Sequence, residues 1–116
     1  MSEANLPPGK TTIAPDVLLN IATLTTLSVN GVSRMSTVPG GVDRIWKGGH
    51  QSEGVRIGVV GDVVNVDLYL IFKPDVNLRQ VSRNVQKEVA RAISEMVGMK
   101  PGTINVHVED IDYEEF

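Results

Sequence analysis

The chain has 116 residues and a formal net charge of −3, with 41% hydrophobic but only 4% aromatic residues. That length fits one domain with a real core, which must be aliphatic. So mild a charge argues against nucleic-acid binding by the whole surface. The lack of Cys excludes disulfides, zinc–thiolate sites and a thiol nucleophile, and fits a reducing cytoplasm.

Residues 1–9 are polar and end in Pro7-Pro8-Gly9. They predict a disordered arm ahead of a single domain over residues 10–111. The opening MSEANLPPGK lacks the apolar stretch of a secretory signal. No apolar run in the chain approaches the roughly 18–20 residues of a membrane helix, so a soluble or peripheral protein is expected. Lys10 to Ala14 is a brief strand candidate. Pro15 suits the first helical turn, where its missing N–H costs nothing, and Asp16 favours the positive helix end. The helix is expected to run to about Val29, with Asn30-Gly31 as a left-handed stop. Val32 to Thr37 can form a strand. Val38 to Gly54, with Gly40, Gly41, Gly48 and Gly49 inside it, reads as the longest irregular segment.

Val55 to Val60 and Val63 to Phe72 flank Gly61-Asp62, a two-residue hairpin turn. Counting outward pairs Val59 with Val64, Ile57 with Val66 and Val55 with Leu68, all on one face. The same register sets Arg56 opposite Asp67 on the other face. Pro74 ends the strand, and Asn77 or Asp75 can cap the next helix. Leu78, Val81, Val85, Val89, Ala92, Ile93 and Met96 form an apolar stripe at helical spacing, and Gly98 stops it. Ile104, Val106 and Val108 alternate with Asn105, His107 and Glu109, a half-buried strand. Residues 112–116 continue an acidic tail. The expected fold is α+β in the order β-α-β-β-β-α-β, with two helices on one face of a small mixed sheet. The other face would show Arg56, Asn65, Asp67, Tyr69, Asn105 and His107.

Two surfaces stand out. Arg79, Arg83, Lys87 and Arg91 recur every four residues and form one basic ridge opposite the apolar stripe. The ridge is either a solvated face or a site for an anionic partner. From Val17 to Ser33 the first helix and its exit carry no charge. Val17, Ile21, Leu24 and Ser28 can face the core, which leaves Leu19 and Leu27 pointing elsewhere. A helix apolar on more than one side is buried on more than one side. Self-association through Leu19 and Leu27, cover by the glycine-rich loop, and a different partner protein are the three readings.

Little else suggests chemistry. Arg44 to His50, RIWKGGH, sets Trp46 and cations beside two glycines. It reads as a linker with Trp46 tucked onto the domain, or as an anion-binding nest. It lacks the strand–GxxxxGK[ST]–helix pattern of a P-loop. His50 and His107 sit on different elements, no Ser lies in a GxSxG motif, and no catalytic residue, metal site or cofactor is expected.

VNVDLYLIF, VNLRQVSRNVQKEVARAISEMVG and INVHVEDI, with TTIAPDVLLNIA before them, resemble the bacterial alkaline-shock-protein family, also called the general-stress or envelope-stress-response family. The resemblance covers roughly Lys10 to Ile111. The chain departs from the family at Lys73-Pro74-Asp75, where members carry a Tyr-Gly-type turn, and in the loop RIWKGGHQSEG. The resemblance implies a non-catalytic cytoplasmic protein of stress response and cell-envelope homeostasis that self-associates as a scaffold. Some such proteins sit at the inner membrane face through a membrane-anchored partner. The alternative is a binding module whose basic ridge takes nucleic acid, an anionic lipid surface or an acidic protein.

Overall fold

The computed structural model describes residues 13–37 and 49–113. The expected N-terminal arm, most of the Lys10–Ala14 strand candidate, Trp46 and the last three tail residues lie outside these. The described elements are α1 (Pro15–Leu27), β1 (Val32–Met35), β2 (Gly49–Ser52), β3 (Val55–Val60), β4 (Val63–Phe72), α2 (Leu78–Ala92) and β5 (Lys100–Ile111). β2 lies inside the segment expected to be irregular.

The sheet is mixed and centred on β4. β5 runs parallel along one side of it, while β3 and β1 pair antiparallel with successive parts of the other side. β2 adds to the outer edge of β3. Tyr69 sits where β3 gives way to β1. Its N–H donates to the Gly54 carbonyl (2.8 Å), and its carbonyl accepts from the Ser36 N–H (2.7 Å). Gly54 has φ +77, and a Cβ there would come within 2.6 Å of the Ser36 carbonyl oxygen, so this junction needs glycine.

The hairpin register is the expected one. Val55, Ile57 and Val59 stand opposite Leu68, Val66 and Val64, and Arg56 stands opposite Asp67. The period of two sends Val64, Val66, Leu68, Leu70 and Phe72 to one face, where both helices cover them. Asn77 caps α2: its Oδ1 accepts from the Gln80 N–H at 3.0 Å. Asp75 instead takes a left-handed turn position with φ 63. Val81, Val85, Val89 and Ala92 face the core. Ile93–Val97 widens into a π-helical turn, and Gly98 with φ 77 ends it. That change of pitch carries Met96 out of the stripe, and Leu78, in the first turn, is exposed too.

α1 corrects the sequence reading. It buries Leu18, Leu19, Ala22 and Thr26 and leaves Val17, Leu24 and Leu27 exposed. The helix therefore faces the core with nearly the opposite side from the one expected. The buried side combines Leu18 and Leu19, which fill core volume, with the small Ala22 and the compact Thr26, a mix of large and small side chains that suits close packing. Leu19, only 6% exposed, is held by the protein's own core and is not left over for a second chain.

Candidate functional site

The open face of the sheet, away from the helices, carries a polar ladder. Gln51, Arg56, Asp67 and Asn105 stand side by side across β2, β3, β4 and β5. Asp67 is the hub. Its carboxylate accepts from the Asn105 amide at 2.9 Å, lies 3.8 Å from an Arg56 guanidinium nitrogen, and lies 3.4 Å from His107 Nε2. One position along, the Tyr69 and His107 rings stack with centroids 4.5 Å apart. Burial pushes the Tyr69 hydroxyl above its ordinary pKa; the charges of Asp67 and Glu109 add to this, and Arg56 opposes it.

The ladder differs from the expected exposed face in one respect. Arg56 is only 4% exposed and Tyr69 is buried as well. A charge taken that far from water needs its carboxylate, so the Arg56–Asp67 pair is part of the interior, not a surface ion pair. Among the described residues, no group of three or more His, Cys, Asp or Glu side chains could hold a metal ion.

The basic ridge lies where the spacing put it. Arg79, Arg83, Lys87 and Arg91 are all exposed along the outer side of α2, opposite Val81, Val85 and Val89. Arg91 Nε meets Glu95 Oε1 at 3.4 Å, one turn on. Between the helices, a groove of about 290 Å³ is lined by Thr25, Ser28, Glu88, Arg91, Glu95 and Met96. A larger cavity of about 420 Å³ opens at the hairpin tip, walled by Ile13, Leu18, Val59, Val97 and Met99 with Asp62 at its rim.

The outer side of α1 completes the set. Leu27 is 42% exposed, as the sequence suggested, and Val17 and Leu24 are exposed too, Leu24 at 69%; Met96, in the turn after α2, is 70% exposed. The sequence reading missed Val17, Leu24 and Met96 because it assigned each of them to a core stripe. For Val17 and Leu24 the signal that could have found them is the pair of small residues, Ala22 and Thr26, on the opposite side of α1, whereas Met96 is displaced by the π-helical turn.

These features define a small α+β domain whose distinctive parts are surfaces. The chain belongs to the alkaline shock protein 23 family, described as having a cell envelope-related function, whose model matches residues 3–113. This bears out the resemblance read from the sequence. YqhY of Bacillus subtilis (strain 168) is 29% identical over 108 residues, covering 91% of this chain and 79% of that protein. YloU of the same organism is 22% identical over 106 residues, covering 89% and 88%. Spy1535 of Streptococcus pyogenes serotype M6 is 29% identical over 104 residues, covering 89% and 79%. Among solved structures, the copper form of MamM CTD superposes with a TM-score of 0.53 at 14% identity, covering 87% of this chain and 90% of that one. A MamM-CTD variant gives 0.51 at 15% identity, covering 84% and 98%. At such identities the likeness is one of fold alone. Among the described residues, no helix is long and apolar enough to cross a membrane.

Proposed function

We propose that this protein is a non-catalytic scaffold of cell-envelope homeostasis that works by associating with copies of itself. The observation that carries this reading is the outer side of α1. It sets Val17, Leu24 and Leu27 in water on a segment with no charge from Val17 to Ser33. Exposed apolar side chains gathered in this way mark interaction surfaces. The family's envelope-related description sets the context. In this reading the protein acts in the cytoplasm and reaches the inner membrane face through a membrane-anchored partner.

The test is Leu24→Lys combined with Leu27→Lys. Both side chains are exposed, so the fold should keep its circular dichroism while the sedimented mass falls. An unchanged mass would place self-association elsewhere. A wild type that stays monomeric at high concentration would remove the scaffold reading altogether.

A further inference from the structure

The fold sets unlike charges on opposite faces of one sheet. On the helix side, Arg79, Arg83 and Lys87 are exposed and have no ion-pair partner among the described residues. Like charges four residues apart on a helix oppose one another, so the fold itself gains nothing from this spacing. The ridge is the more unusual because the chain as a whole is acidic.

The compensating charge is at the end of β5. Asp110 and Arg34 both stand beside Ile71, on the open face, since Leu70 and Phe72 on either side of it point into the core. Asp112 crosses the end of β4. Its N–H donates to the Phe72 carbonyl at 2.7 Å, and its carboxylate accepts from Ser33 Oγ at 2.6 Å and lies 3.6 Å from Arg34 Nε. Glu109 lies in the bulge of β5, between Val108 beside Leu70 and Asp110 beside Ile71. Glu109 and Asp110 are exposed and make no ion pair among the described residues.

We propose that the basic ridge of α2 in one copy docks on the acidic end of β5 in a second copy. Within one molecule the sheet and its helix layer stand between the two, so these charges meet only between molecules. Such a contact is heterologous. Each copy offers one ridge and one acidic end, and the contact propagates into an open chain unless its rotation closes a ring. The inference rests on the self-association reading for the identity of its partner, but it uses a different surface. The outer side of α1 supplies one contact and the charged faces a second, and two independent contacts build assemblies larger than a dimer.

Charge exchange tests this. Wild-type protein sedimented at low salt should form large species that shrink as salt rises, because exposed charges are screened over about 8–10 Å near physiological ionic strength and about 3 Å at 1 M. Arg83→Glu with Lys87→Glu should weaken that assembly by roughly ten-fold or more, and Glu109→Lys with Asp110→Lys should do the same. Circular dichroism should be unchanged in both, since all four side chains are exposed. The variant carrying all four changes has its charges exchanged and should assemble again.

Failure of the four-fold variant to assemble would overturn the proposal, as would a wild-type assembly indifferent to salt. Wild-type binding to vesicles of phosphatidylglycerol, lost in Arg83→Glu with Lys87→Glu while assembly persists, would assign the ridge to lipid and also overturn it. In these cases self-association through α1 still stands if Leu24→Lys with Leu27→Lys lowers the mass. If no assembly forms at any salt or concentration, the scaffold reading itself fails.

Discussion

Leu19→Ala separates a core residue from an interface residue on the same helix. Leu19 packs within one chain among Leu18, Ala22 and the aliphatic residues of the sheet, and it does not line the cavity at the hairpin tip. The surroundings therefore have little room to collapse around a smaller side chain. A core Leu→Ala change costs about 2–5 kcal/mol, and about 3 kcal/mol is expected here. For a domain of this size each kcal/mol lowers Tm by about 4 °C, so Tm should fall by about 12 °C. Leu27→Ala, at a half-open position, should cost under about 1 kcal/mol in the isolated chain. Urea unfolding at two protein concentrations about a hundred-fold apart gives the decisive comparison, because stability supplied by a partner depends on concentration. The Leu19→Ala loss should be the same at both concentrations, whereas any Leu27→Ala loss should grow with concentration. A Leu19→Ala loss below about 1 kcal/mol, or one that grows with concentration, would refute the placement of Leu19 in the chain's own core.

Three further outcomes follow from single positions. The buried Thr26 hydroxyl has no hydrogen-bond partner among the described residues, so Thr26→Val should stabilise the protein by about 1 kcal/mol in chemical denaturation. Gly31 has φ +107, and a Cβ there would meet Val81 Cγ2 at 2.6 Å, so Gly31→Ala should cost more than about 1 kcal/mol and lower Tm. The raised pKa of Tyr69 means that above the ordinary value of 10.0 the folded state holds a proton the unfolded state has released. Its contribution is complete below that pH and is lost as pH rises through the folded value. Melts in alkaline buffer should show a fall in stability that Tyr69→Phe removes.

How far the sequence could be read depended on what marks each face. In the β3–β4 hairpin, Gly61-Asp62 pins the turn, and both the apolar pairs and the Arg56–Asp67 pair demand one register, so it was fully legible. On α2, charges mark the outer side as clearly as valines mark the inner, and the ridge falls as expected. α1 has no such marker. With no charge between Val17 and Ser33, two sides are equally apolar, and close packing over Ala22 and Thr26 decides between them. The open-face ladder was half legible. Arg56 and Asp67 could be paired from the hairpin, but Asn105 and His107 join them only because β5 runs parallel beside β4. Alternation within a strand does not fix its neighbour. The burial of Arg56 likewise could not be read from β3 alone, since β2 lay hidden in a glycine-rich stretch.

The scaffold reading stands or falls on the mass of the wild-type protein in solution. Sedimentation velocity over a concentration series at low salt should show the average mass rising with concentration well beyond that of a dimer. A single species at the monomer mass across the whole series would contradict it.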